Sequence, residues 1–122
     1  CLNYNHGEFE ILHGYDEVLL AGLSLGVKAA VGSTYNYMPQ VYLKLWKAFE
    51  NKDIAKAREL QLFSVKVVET LIRHGGPIKA GKAVMKMLGI DCGPCRLPIS
   101  KFAQAEYEIL KKTLQDKGFF FD

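Results

Sequence analysis

No apolar run in this chain approaches the roughly twenty residues that a membrane-spanning helix needs, and no charged, apolar, small-residue leader is visible. A membrane partner is therefore not expected of these residues. Charge of one sign is also missing as a block. The 16 Lys and Arg stand against 13 Asp and Glu, for a formal charge of +3. Lys44, Lys47, Lys52, Lys56, Lys66, Lys111 and Lys112 are scattered along helical stretches beside acidic neighbours. Such a pattern makes solvated faces and argues against a nucleic-acid partner. Metal-ligand spacing is absent among His6, His13 and His74, and the only thiols are Cys1, Cys92 and Cys95, so no zinc site is expected. Low-complexity sequence is missing too. With 49% hydrophobic and 24% charged residues, the composition is that of an ordinary globular chain.

What is present is a pairing of two polar clusters, each directly after a short apolar run. Phe9-Glu10-Ile11-Leu12 precedes Gly14-Tyr15-Asp16-Glu17, and Lys28-Ala29-Ala30-Val31 precedes Gly32-Ser33-Thr34-Tyr35-Asn36. A strand that ends in a glycine turn and then opens a helix presents the turn's side chains at the strand's carboxyl end. Parallel α/β folds build their active sites there. Two such ends in succession point to one shared site.

Helical periodicity fills the rest. Val18, Leu19, Leu20, Leu23 and Leu25 make a broad apolar surface on a helix ended by Gly26, with Asp16 placed to cap it and Glu17 in its first turn. Ala29 to Val31 reads as a short buried strand. A helix from about Met38 to Glu50 carries Val41, Tyr42, Leu45, Trp46 and Phe49 at helical spacing, with Pro39 in its first turn. Asp53 can cap a long helix to about His74, stopped by Gly75-Gly76-Pro77. A further helix covers about Ile78 to Leu88, the segment from Gly89 to Ser100 is irregular, and a last helix spans about Lys101 to Lys117. The order is strand, helix, strand, helix, then three helices.

The strand-Gly-Tyr-Asp-Glu-helix pattern, the strand-Gly-Ser-Thr-Tyr-Asn-helix pattern and the late Gly93-Pro94-Cys95-Arg96-Leu97-Pro98 together resemble the last third of the N-acetylneuraminate lyase family, the sialic acid aldolases among the pyruvate-dependent class I aldolases. The resemblance runs from about Phe9 to about Lys117. It implies an α/β fold: the carboxyl-terminal part of a (β/α)8 TIM barrel, units seven and eight in residues 1–50, followed by a helical extension in residues 51–122. A whole barrel needs roughly 250 residues, so the chain is expected to be a carboxyl-terminal piece that exposes the flank facing strand six.

The resemblance also implies an activity, the reversible cleavage of N-acetylneuraminate to N-acetylmannosamine and pyruvate with no cofactor, in a cytoplasmic homotetramer. Class I aldolases use a lysine that forms a Schiff base with the substrate ketone. The family's Leu-Lys-x-Ser/Thr context for it has no match here, so the catalytic lysine is expected upstream and the chain alone is expected to be inactive. Lys28 in Gly26-Val27-Lys28-Ala29 begins a strand and would lie at the opposite end of the barrel. By family match, Asp16 and Glu17 hydrogen-bond the glycerol end of the open-chain sugar acid, Gly14 gives a backbone contact, and Ser33 is a further substrate ligand. The plainer reading of these residues is helix capping and turn formation. The alternatives are a dihydrodipicolinate synthase-like pyruvate aldolase, which handles a shorter aldehyde, or a non-catalytic sugar-acid binder on the same fold.

Three remaining features have plain readings. Cys92-Gly93-Pro94-Cys95 has the letters of a thioredoxin redox site, but a helix precedes it where that site requires a strand, so no redox role is expected. His13 is expected to pack at a strand end. Arg96 either ties the extension to a neighbour through carboxylates or carbonyls or lies on the surface.

Overall fold

A computed structural model describes residues 1–119. The chain divides into two compact bodies, Cys1–Ser64 and the described residues from Val65 onward.

In the first body, β1 (Leu12–His13) and β2 (Ala29–Ala30) pair in parallel, with Leu12 opposite Ala29 and His13 opposite Ala30. The ladder continues for one more bond, from the Val31 N–H to the His13 carbonyl at 2.9 Å. A single 3-10 turn, Asp16–Val18, leads into α1 (Leu19–Ser24), which crosses back to β2. A second such turn, Ser33–Asn36, leads into α2 (Pro39–Glu50), and α3 (Ile54–Arg73) follows, its residues up to Ser64 belonging to this body. This is the expected β-α-β-α order with the expected parallel pairing. Leu19, Leu23, Tyr37, Met38, Tyr42, Leu45 and Ala57 are buried and form the core of this body.

The strands are shorter and more open than the apolar runs imply. Phe9 stays outside β1 and stacks on Tyr4 at 5.9 Å between ring centroids. Ala29 is exposed, Ala30 is half-buried, and Leu12 and Val31 are 52% and 58% exposed. The buried-strand expectation fails here because each strand has one neighbour among the described residues, and burial of a small residue such as Ala29 depends on flanking strands that could cover it. Val18 and Leu25 are likewise exposed, leaving Leu19 and Leu23 to anchor α1.

Asp53 does cap α3: its carboxylate accepts the Lys56 N–H at 3.0 Å, satisfying one of the amide donors that a helix start leaves open. In the second body, α4 (Gly76–Met87) begins two residues before the expected start, because Pro77 lacks only an N–H that a first turn does not use. No regular element occupies residues 90–103. Then α5 (Gln104–Asp116) begins at Gln104, later than expected. Glu106 reaches back to accept the Ala103 N–H at 3.2 Å, which fixes Ala103 as the residue before the helix. Ala80, Ala83, Val84, Leu110 and Leu114 supply the core here. No described helix is long and apolar enough to cross a membrane.

Candidate functional site

The turn after β1 and the turn after β2 lie at the carboxyl ends of two paired parallel strands, and one side chain joins them. Asp16 is buried, and its Oδ2 accepts hydrogen bonds from both the Thr34 N–H, at 3.1 Å, and the Thr34 hydroxyl. The Thr34 oxygen also lies 2.8 Å from the Tyr42 hydroxyl. A hydroxyl has one proton to give. The Thr34 proton goes to the carboxylate, where the bond is charge-assisted, and the Tyr42 O–H therefore donates to Thr34. The chain of donors runs from α2 through the second turn to the first.

This corrects the expectation for Asp16. Its side chain makes no cap on its own helix; it holds the start of the neighbouring turn instead. Gly32 makes the approach possible. A Cβ built on Gly32 would fall 1.7 Å from Asp16 Oδ1 and 2.3 Å from its Cγ, so the carboxylate occupies the space that any side chain at position 32 would fill. The backbone there is extended, with φ −169°. Space alone demands the glycine.

A residue from α3 fixes the first turn from behind. Buried Gln61 donates to the Asp16 carbonyl at 3.1 Å and to the Ser64 hydroxyl at 2.8 Å, and its Oε1 accepts the Leu20 N–H at 2.9 Å. Both ends of the amide are used, and an open amide donor of α1 is satisfied. Sequence reasoning passed over Gln61, Thr34 and Tyr42. Gln61 and Ser64 had a signal: they continue the Ala57, Val68, Leu71 face of α3, and a polar residue on such a face needs buried partners.

Glu17 is half-buried, while Gly14 and Ser33 are exposed. A side chain at Gly14 would meet nothing within 4 Å, so the first turn is open on that side. Burial raises the Tyr35 phenol above its ordinary value of 10.0, the Asp16 charge adds to this, and Tyr42 and Glu17 add further. Burial likewise pushes the Tyr42 phenol up to about 12, so it serves as a neutral donor at physiological pH. The Tyr35 and Tyr42 rings meet edge to face at 4.5 Å. An apolar hollow of about 230 Å³ opens beside them, lined by Leu19, Ala30, Tyr35, Pro39, Tyr42 and Trp46 among others.

Lys28 directly precedes β2, at the strand end away from Asp16 and Thr34, as expected. The His13 ring packs on Gly22, where an added Cβ would lie 2.6 Å from Nδ1, and its Nε2 lies 2.8 Å from the Tyr15 carbonyl. It is a packed strand-end histidine. A larger hollow of about 270 Å³ belongs to the second body and holds none of the four sequence-chosen residues. Three of its four lysines have nearby partners: Lys79 meets Glu106 at 3.2 Å, Lys82 donates to the Cys92 and Pro94 carbonyls, and Lys86 lies 3.5 Å from Asp91. Cys92 and Cys95 are unbridged and follow α4 through irregular chain. Arg96 is exposed.

Comparison with known proteins agrees with the motifs. The chain is 38% identical to N-acetylneuraminate lyase 2 of Escherichia coli O6:H1 over 113 residues, 91% of this chain and 36% of that protein. It is 41% identical to N-acetylneuraminate lyase of Rattus norvegicus over 106 residues, 85% of this chain and 33% of that protein. The solved structure of Proteus mirabilis N-acetylneuraminate lyase superposes with a TM-score of 0.92 at 31% identity, covering 98% of this chain and 40% of that one. The chain thus spans about a third of the length of the curated relatives it matches. Its architecture is that of the aldolases built on the TIM barrel, and the model of the Dihydrodipicolinate synthetase family matches residues 2–117. The chain belongs to the dihydrodipicolinate synthetase family.

Proposed function

We propose that this chain supplies the sugar-recognition half of an active site that reversibly cleaves N-acetylneuraminate to N-acetylmannosamine and pyruvate. Residues 1–50 are read as the seventh and eighth βα units of a barrel and residues 51–122 as its helical extension. The Schiff-base lysine is assigned to a part of the protein outside these residues. That lysine attacks the substrate ketone and loses water to form an iminium, whose nitrogen takes up the electron pair released when the carbon-carbon bond breaks. No residue of this chain is given that step. Gly14, Asp16, Glu17 and Ser33 are assigned to the polyol end of the sugar acid, in an intact enzyme read as a cytoplasmic homotetramer.

The observation that carries this reading is the tie between the two strand-end turns through Asp16 and Thr34. It brings an exposed hydroxyl, a half-buried carboxylate and an open glycine turn to one end of a parallel pair, in a chain whose relatives are named N-acetylneuraminate lyase. The dihydrodipicolinate synthase reading has weaker support, the match to the 4-hydroxy-tetrahydrodipicolinate synthase of Acetivibrio thermocellus being 31% identical.

The test is Glu17→Gln in a polypeptide carrying the whole barrel. Leaving a substrate hydroxyl poorly paired costs about 1 to 3 kcal/mol, so kcat/KM for N-acetylneuraminate should fall roughly five- to hundredfold. Borohydride trapping with pyruvate should stay at the wild-type level. Normal cleavage of the sugar acid by the variant, or loss of trapping in a folded protein, would defeat the assignment.

A further inference from the structure

The geometry around Thr34 leads us to infer that Thr34 is a positioning residue for sugar-tail recognition, acting through the Asp16 carboxylate and backed by the Tyr42 hydroxyl. The inference rests on the reading that the two turns bind the polyol end of the substrate. Thr34 is 2% exposed and Tyr42 is 5% exposed, and both hydroxyls are engaged with partners inside the chain. Their hydroxyls form a directed chain ending on Asp16 Oδ2.

The consequence for Asp16 follows from its two oxygens. Oδ2 takes two donors from Thr34, while Oδ1 lies against the Cα of Gly32 with no hydrogen bond assigned to it among the described residues. A carboxylate has about four acceptor positions. Thr34 therefore fixes the orientation of the carboxylate and leaves Oδ1 as the oxygen with no donor assigned to it among the described residues. The same contact orients the second turn, since Thr34 N–H belongs to the turn that carries Ser33, and the Asn36 side chain closes that turn by donating to the Ser33 carbonyl at 2.9 Å. One side chain thus sets the relative placement of the acceptor on the first turn and the hydroxyl on the second. A recognition site needs such fixed partners, because misplacement of either group weakens the hydrogen bonds it makes to the polyol.

The decisive comparison is Thr34→Val against Thr34→Ser in the intact enzyme. Valine keeps the shape and loses the hydroxyl, whereas serine keeps the donor and loses a methyl group. Thr34→Val should raise KM for N-acetylneuraminate about tenfold with a smaller change in kcat, Thr34→Ser should restore most of it, and borohydride trapping with pyruvate should match wild type in both. A merely structural role would move thermal stability without this split between KM and kcat. Should Thr34→Val fail to fold, Tyr42→Phe removes the backing donor and should raise KM in the same direction by a smaller factor. Wild-type KM in a folded Thr34→Val protein, or equal losses in the valine and serine variants, overturns the inference. The two readings separate through Glu17→Gln. If Glu17→Gln raises KM and Thr34→Val does not, only the positioning role falls; if neither does, the tail-recognition reading falls with it.

Discussion

Gly32→Ala is the sharpest structural test of the Asp16 tie. The new methyl carbon would sit 1.7 Å from Asp16 Oδ1, 2.3 Å from Cγ and 2.5 Å from Oδ2, far inside van der Waals contact with all three. The backbone at position 32 accepts alanine without torsional strain, because it is extended, so the carboxylate must leave. Its departure breaks two hydrogen bonds from Thr34. Bonds to a charged group are worth about 1.5 to 3 kcal/mol each, which gives about 3 to 6 kcal/mol for the pair as an upper range, since the two share one acceptor oxygen and are not additive. That is a large part of the about 5 to 15 kcal/mol by which a domain is stable. Urea unfolding followed by circular dichroism should show the loss as a lower midpoint. The cycle with Asp16→Ala isolates the cause. Once the carboxylate is gone, alanine at position 32 has room, so the double variant should be about as stable as Asp16→Ala alone. Additive losses in the double variant, or a Gly32→Ala midpoint equal to wild type, would refute the reasoning.

Burial holds the Tyr35, Tyr37 and Tyr42 phenols above 10.0, with Tyr42 at about 12; a raised phenol leaves stability intact below pH 10 and drains it as pH rises, because the unfolded chain releases its protons first. In a protein with Tyr4, Tyr15 and Tyr107 replaced by Phe, phenolate absorbance should therefore appear together with loss of helical signal above about pH 10, and phenolate formation well before unfolding would contradict it. On the proposed function, replacing Cys92 and Cys95 with Ser in the full-length protein should leave sugar-acid cleavage near wild type, since both sit in irregular chain after α4 without a bridge; loss of most turnover in a folded protein would show a role that the geometry does not account for.

Local chemistry was legible where it decides structure by itself. The two strand ends, the Asp53 cap and the helix before Cys92 each follow from residues within a few positions of one another. His13 also packs as its place at a strand end implies. What could not be read depends on partners distant in sequence. Asp16 carries every mark of a helix N-cap, yet its carboxylate reaches 18 residues along the chain to Thr34, where a buried amide and hydroxyl offer stronger bonds than its own exposed turn. Burial of β2 failed for the same reason in reverse: Ala29 has the size of a barrel-interior residue, but size fixes what fits and neighbours fix what is covered. Gln61 lay between these cases. Its polar side chain on the Ala57 to Leu71 face of α3 announced a buried partner without saying which.

The arrangement around Asp16 also bears on what such a site can reject. A pocket with loosely held acceptors adapts to a shorter or less hydroxylated substrate by turning its side chains toward other donors or water. Here the Asp16 backbone is held by Gln61, its carboxylate by Thr34, and the space behind it by the absence of a side chain at Gly32. On the proposed reading, a substrate without the polyol end would leave Asp16 Oδ1, the oxygen that Thr34 does not bind, without its partner, and a site built to hydrogen-bond a hydroxyl discriminates strongly against an analogue lacking it for that reason. Discrimination between long and short oxo acids would then depend less on contacts with the substrate than on how little Asp16 can move, which places its origin in Thr34, Gln61 and Gly32, residues that need not touch the sugar.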